Sequence, residues 1–312
     1  MAKFNHVSVM KKECIDALLI KDGGVYFDGT LGGGGHSYEI LKNSSPNGKL
    51  IATDLDDYAI ERASERLREF GDRFTPVKSN FKNFREIKEK FNVEGFDGIL
   101  LDLGVSSFQL DDRSRGFSYL GENELLDMRM DKNNPLSAKT IINGYTEQDL
   151  KRIFTEYGEE KFSYAIARNI VLARKNKEIS TVGELNAIID KSIPAKFKKD
   201  GHPSKRTFQA LRIEVNGELD GLYQTVLDMA RGLKSGGRLA ILTFHSLEDR
   251  IVKKAFKELE TDCVCDKSLP VCVCGKKREI KIITKHPFLP SEEELQVNSR
   301  SKSAKLRIAE KI

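Results

Sequence analysis

No stretch of this chain approaches the roughly 18 consecutive apolar residues of a membrane-crossing helix, which argues against an integral helical membrane protein. Met1 to Met10 lacks the apolar core of a secretory signal, which argues against export. Cysteine is scarce, and four of the five fall between Cys263 and Cys274. One cluster in a long, unexported chain reads as reduced thiols or a metal site rather than a disulfide framework. These absences together place the protein in the cytoplasm. No internal repeat or low-complexity tract is evident either. What is present is 39% hydrophobic and 32% charged residues, enough for a sizeable core under a highly charged surface. The net charge of +5 is too mild to name a partner, so the distribution of charge has to do so.

Short runs rich in β-branched residues alternate with amphipathic stretches. Val25 to Phe27 ends in Asp28, Lys49 to Thr53 ends in Asp54, Phe74 to Val77 follows, and Phe96 to Leu101 ends in Asp102. Helical patterns at Ser37 to Leu41 and Ala59 to Phe70 lie between them. The alternation predicts an α/β fold with a parallel sheet covered by helices on both faces. From Asp111 to about Asn216 the pattern is mostly helical (Glu147 to Tyr157, Lys161 to Lys175, Thr181 to Lys191). The α/β pattern returns with a helix at Leu219 to Leu233, a turn at Ser235-Gly236-Gly237 and a strand at Arg238 to Phe244. Runs at Glu279 to Thr284 and Lys305 to Ala309 can close the sheet. The expected organisation is 1–110 and 217–312 as two parts of one α/β domain, interrupted by a helical insertion at 111–216.

In such a sheet ligands bind beyond the carboxyl ends of the strands. Asp28-Gly29-Thr30-Leu31 leads there into four glycines, Gly32 to Gly35, then His36-Ser37. Glycine lets the backbone turn sharply and approach a ligand closely; the alternative is a flexible turn. A Walker loop requires Gly-Lys-Ser/Thr, and the lysine is missing. The dinucleotide fingerprint also fails, because Ser37 stands at its third glycine position. The loop therefore suits the amino-acid end of S-adenosylmethionine better than a pyrophosphate. Asp54, 22 positions after Gly32, can accept both ribose hydroxyls; helix capping, shared with Asp56 and Asp57, is the other reading. Phe81 can pack on the adenine or belong to the core.

Asp102 leaves the fourth strand into Leu103-Gly104-Val105-Ser106-Ser107-Phe108-Gln109. No cysteine lies near this strand end, with Cys14 far upstream, so methylation at pyrimidine carbon 5, which needs a nucleophile, is disfavoured. An amino nitrogen needs only to be held in line with the methyl group and to have its lone pair localised by a hydrogen-bond acceptor. Asp102 is the candidate acceptor and catalytic residue, with Ser106, Ser107 and Gln109 as helpers; its other reading is a helix cap. His245, in Thr243-Phe244-His245-Ser246, either lines the same cleft or sits at a helix start whose capping falls to Ser246, Glu248 and Asp249.

Lys191, Lys196, Lys198, Lys199, Lys205, Arg206 and Arg212 stand against a single acid, Asp200. Such a cluster can neutralise phosphates. Phe108, Phe117 and Tyr119 can stack on a splayed base or pack in a core. Cys263-x-Cys265 and Cys272-x-Cys274 offer the four thiolates of tetrahedral zinc, although C-x-C is a less usual spacing than C-x-x-C, and metal content stays open.

With these residues assembled, the chain resembles the MraW-type 16S rRNA cytosine N4-methyltransferases, the ribosomal RNA small subunit methyltransferase H family. The likeness spans almost the whole chain. It runs through His6-Val7-Ser8-Val9, Asp28-Gly29-Thr30, Gly34-Gly35-His36-Ser37, Asp102 to Ser107, Arg115-Gly116-Phe117-Ser118, Leu126 to Asp131, Tyr157-Gly158-Glu159-Glu160, Arg206 to Arg212 and Phe244 to Arg250. The resemblance implies a class I S-adenosylmethionine-dependent methyltransferase (Rossmann-like) fold with a helical insertion domain. It implies methylation of the N4 amino group of a decoding-centre cytidine in 16S rRNA, within the small ribosomal subunit, with a homodimer compatible. Carried over by motif, it assigns S-adenosyl-L-methionine to Gly34, Gly35, His36, Asp54, Phe81, Asp102 and Gln109. Phe108 departs from the proline common in the family. The cysteine cluster is not shared by all members, which makes zinc dispensable for the reaction. The rival readings are an NAD-dependent oxidoreductase, a non-catalytic RNA-binding protein with a vestigial pocket, and a methyltransferase of DNA or protein.

Overall fold

The structure is a computed structural model that describes residues 8–198, 202–266 and 271–312, apart from the Ser107 side chain. His6, Val7, Lys199 and Asp200 lie outside the described residues. Each apolar run of the α/β part forms a strand: β1 Val25–Asp28, β2 Lys49–Asp54, β3 Phe74–Lys78, β4 Phe96–Asp102, β5 Leu233–Thr243, β6 Ile280–Ile282 and β7 Lys305–Lys311. They join in one sheet of order β3-β2-β1-β4-β5-β7-β6. Neighbours from β3 to β5 pair parallel, while β7 runs antiparallel to β5 and β6. This is the α/β architecture expected from the sequence, a mainly parallel sheet with one antiparallel strand, β7, inserted near its edge. Strand order reverses at β1 and β4, which places the ligand edge at their carboxyl ends.

Both faces of the central strands are apolar, as a sheet covered on both sides requires. Phe27, Ile51, Ile99, Leu101, Leu239 and Ile241 point to one face. Their neighbours Tyr26, Leu50, Leu100, Ala240 and Leu242 point to the other. Helices Phe84–Lys90, Leu222–Arg231 and Ser246–Glu260 bury residues against the first face. Helices Lys11–Ala17, Gly35–Asn43 and Asp57–Arg66 do so against the second. Phe27, Phe84 and Phe96 form an aromatic triad with centroids 5.2 to 5.6 Å apart. Pro76 lies within β3, which is tolerated because β3 is an edge strand and needs no donor on its outer side.

Two local expectations differ from what is observed. The Ser235-Gly236-Gly237 turn does not precede β5 but lies inside it, with Gly236 at φ +78°. Phe96 pairs with Leu233 and Gly98 with Arg238, so the extra residues bulge out of the ladder and pairing resumes. The helix expected over Ala59 to Phe70 stops at Arg66 and continues as a 3₁₀ turn, Arg68–Arg73, which turns at Gly71 (φ +52°).

The chain divides into two compact units. One is 1–104 with 219–312, and the other is 105–218. The sequence placed these limits at 111 and 216; Val105 and Leu110 pack with the second unit's own cluster, which draws the boundary earlier. That unit gathers helices Ala138–Gly144, Glu147–Glu156, Ser163–Arg174, Val182–Ser192 and Lys205–Asn216 around Ile141, Phe154, Ile166, Leu185 and Leu211. Ser137, Thr146 and Thr181 cap three of these helices, each accepting a hydrogen bond from a backbone amide three residues on. Among the described residues no helix is long and apolar enough to cross a membrane.

Candidate active site

Three aspartates end three neighbouring parallel strands of the first unit: Asp28 on β1, Asp54 on β2 and Asp102 on β4. The glycine loop joins them. Asp54 Oδ2 accepts from the Gly32 amide at 2.8 Å and its Oδ1 from the Asp56 amide at 2.9 Å. The capping role belongs to Asp56, whose side chain accepts from Tyr58 N. Asp54 is thus bound to the glycine loop, and its carboxylate retains lone pairs for two further donors. Burial pushes its pKa up, against the opposing pull of those amides.

The four glycines divide the work. Gly32 and Gly33 are half-buried, while Gly34 and Gly35 are buried. Gly32 and Gly34 hold positive φ, +49° and +71°. Gly34 caps the helix Gly35–Asn43 without a side chain, and a Cβ there would meet Ala63 at 3.1 Å. A Cβ on Gly35 would fall 1.9 Å from Ser8 Oγ. These last two glycines serve turning and packing, and the Gly32-Gly33 backbone is the part left open.

Behind the loop Asp28 is buried. It accepts from Ser37 Oγ at 2.6 Å and Thr30 N at 3.1 Å, and burial pushes its pKa up to about 6. The Thr30 hydroxyl accepts from the Asp102 amide at 2.6 Å, which ties the loop to the end of β4. His36 Nε2 lies 3.1 Å from Val9 O. A carbonyl only accepts, so this nitrogen carries the proton and Nδ1 turns toward Asp102 Oδ2, 3.8 Å away.

Asp102 is the unusual member. Its Oδ1 is buried with no hydrogen-bond partner, yet the side chain as a whole keeps 26% exposure. Burial first, then the charges of Asp28 and Glu248, push its pKa up to about 8. A buried polar atom left without a partner calls for an explanation, and a ligand that donates a hydrogen bond supplies one.

Electrostatics select the kind of ligand. Asp54 raises the pKa of Asp28, and Asp28 and Glu248 raise that of Asp102, so this edge repels a pyrophosphate and favours a cation. S-adenosylmethionine brings a sulfonium and an ammonium group together with a ribose diol. The residues could hold it, with Asp54 accepting from the diol, the Gly32-Gly33 backbone allowing close approach and Asp102 facing the positive end. NAD, with two phosphates, fits poorly.

The remaining site residues take other places. Phe81 opens a 3₁₀ turn after β3 and is partly buried against the core. A Cβ on Gly29 would fall 3.0 Å from Phe81 Cβ, so the Phe81 side chain starts close to the beginning of the loop. Gln109 belongs to the second unit, where its Oε1 accepts from Ser106 N at 3.1 Å and its own amide donates to Ser106 Oγ at 3.2 Å. That reciprocal pair caps the helix Ser107–Asp111. His245 is itself the N-cap of helix Ser246–Glu260, with Nε2 3.1 Å from Glu248 Oε1; Ser246, expected to cap, is the first helical residue. Thr30, Ser37 and Glu248 were quoted in motifs without roles in the aspartate network. Their places, just after β1 for Thr30 and in the first turn of the next helix for Ser37 and Glu248, were the available signal.

In the second unit the basic cluster is sorted by its partners. Arg212 forms a two-pronged pair with Glu218 at 2.8 and 2.9 Å and is largely covered. It is an internal brace, not a phosphate ligand. Lys198 pairs with Asp190 at 2.7 Å, and Arg206 Nη1 donates to Glu159 O. Lys191, Lys196 and Lys205 are exposed. Phe117 is buried in the second core. Tyr119 stacks on His202 at 4.6 Å.

The MraW methylase family matches residues 3–312 of this chain. A ribosomal RNA small subunit methyltransferase H 2 of Agathobacter rectalis is 56% identical over 310 residues, covering 99% of each chain. A ribosomal RNA small subunit methyltransferase H of Clostridium botulinum, strain Loch Maree, is also 56% identical over 310 residues, covering 99% of this chain and 100% of that protein.

Proposed function

This chain belongs to the MraW methylase family, and from that premise we propose that it methylates the N4 amino group of a decoding-centre cytidine in 16S rRNA. S-adenosylmethionine supplies the electrophilic methyl group. Asp54 accepts the ribose hydroxyls while it holds the Gly32 amide. Asp102 accepts a hydrogen bond from the cytosine amino group. The lone pair of that nitrogen is delocalised into the ring, and a strong acceptor localises it for attack. The Thr30 hydroxyl accepts from the Asp102 amide and fixes the backbone that carries this side chain. Holding the two reacting groups in line supplies most of the remaining acceleration.

The observation that carries this reading is the buried, unpartnered Oδ1 of Asp102 at the end of β4. Cys14, far upstream in sequence, packs behind this strand end, but it is buried, and burial with the charge of Asp102 pushes its thiol pKa up. It therefore offers no thiolate nucleophile, which favours nitrogen over carbon 5 as the target. The relatives' names supply the RNA, since both are methyltransferases of small-subunit ribosomal RNA. Purified protein with labelled cofactor and small-subunit rRNA should yield N4-methylcytidine by nucleoside mass spectrometry. Asp102→Ala should abolish the label and keep the circular dichroism of the parent. Label found on carbon 5 or on the ribose would refute the amino-nitrogen reading.

A further inference from the structure

Helix Ser246–Glu260 starts at the carboxyl edge of β5 and runs back toward the amino edge, where β6 begins. The 261–279 connection therefore leaves and re-enters at the edge of the sheet opposite the aspartates. Its base is clamped. Glu279 N donates to Leu259 O at 2.8 Å, and Arg278 Nε donates to Glu260 O at 3.0 Å. Beyond the clamp, the described residues form no helix or strand. Val264, Val271 and Val273 are 65%, 70% and 77% exposed, so among the described residues of the loop these valines form no apolar core.

Even so, Cys263, Cys265, Cys272 and Cys274 bring their sulfurs within 4.8 Å of one another. The contacts are 3.5 Å for Cys263–Cys272, 3.8 Å for Cys265–Cys272, 3.5 Å for Cys272–Cys274 and 3.9 Å for Cys263–Cys274. At a zinc–sulfur distance of about 2.3 Å, the edge of a thiolate tetrahedron is about 3.8 Å. Backbone amides also point at the sulfurs: Val264 N to Cys274 at 3.5 Å, Cys265 N to Cys263 at 3.4 Å and Val273 N to Cys265 at 3.3 Å. Amides aimed at sulfur stabilise thiolate charge, as second-shell donors do around a metal. The span suits one ion and is too small to enclose a polynuclear cluster.

We propose that Cys263, Cys265, Cys272 and Cys274 bind a single zinc ion in a structural site at the amino edge of the sheet. All four tetrahedral positions are filled by protein, so the ion has no open position for a substrate. It supplies the organisation that an apolar core does not, by joining the two halves of a loop otherwise held by hydrogen bonds at its base and to the sulfurs themselves. Binding displaces the thiol protons to solvent and requires no oxidant.

The test is metal analysis of the full chain, purified under reducing conditions without chelator. Close to a single zinc ion per chain is expected. The double variant Cys272→Ser/Cys274→Ser should lose it, and Cys14→Ser, which alters the buried cysteine outside the cluster, should keep it. Should the double variant misfold, cobalt(II) added to the metal-stripped parent gives an independent reading. Intense visible bands of a tetrahedral ion with thiolate charge transfer are expected. Stripping the metal should also open 261–279 to protease while the remainder resists. A parent chain that holds no zinc and takes up no cobalt overturns the proposal. So do zinc retained by the double variant, iron in place of zinc, and two disulfides in protein isolated without oxygen.

Discussion

Asp102 binds its proton more tightly folded than unfolded, because its pKa rises from 3.8 to about 8. Between those values the folded chain holds a proton that the unfolded chain has released. Stability from this group is therefore fully present below about pH 4 and is lost as pH rises toward 8. Asp102→Asn removes the titration and keeps the shape. It should match the parent near pH 4, exceed it in urea midpoint at pH 9, and be inactive at both. A parent as stable as the variant at pH 9 would contradict the buried, unpartnered carboxylate. The charged form is the acceptor in the proposed chemistry, so kcat/KM should climb with pH up to about 8. Asp54 is read through binding instead. Asp54→Ala removes charge-assisted hydrogen bonds of about 1.5–3 kcal/mol, and calorimetry should show cofactor affinity falling about 10- to 100-fold.

The glycine loop acts as an element because its two positive-φ residues make one sharp strand-to-helix turn. Gly34→Ala puts a Cβ on a left-handed backbone and 3.1 Å from Ala63. The strain is about 1–2 kcal/mol, and both thermal stability and cofactor affinity should fall. Phe27→Ala tests the sheet beneath. It empties the centre of the aromatic triad and should cost about 3–5 kcal/mol in chemical denaturation, with the site residues unchanged. At the level of elements the sequence was readable wherever a rule is local. β1, β2 and β4 ended at their aspartates because an apolar run meeting Asp has few other outcomes in a sheet covered on both faces. The bulge in β5 was not readable. Ser235-Gly236-Gly237 has turn composition, and only the waiting edge of β4 draws it into a strand.

For the molecule as a whole, nucleic-acid affinity should rest on the exposed lysines of the 105–218 unit. Replacing Lys191, Lys196 and Lys205 with alanine should weaken rRNA binding and lower the slope of log K against log salt by about two. Arg212→Ala should behave differently. It leaves Glu218 largely covered without its partner, so thermal stability should drop while the salt slope stays with the parent. Unchanged stability in Arg212→Ala would contradict its bracing role.

The order of strands and helices, the family resemblance and the identity of the strand-end acids follow from sequence, because hydrophobic periodicity and glycine geometry act over a few neighbours. Which acid is unpartnered, which basic residue is neutralised and which sulfurs converge depends on residues far apart in the chain. Asp28 and Glu248 lie 220 positions apart yet both act on Asp102. Charge and burial act through space, and only folding sets those distances.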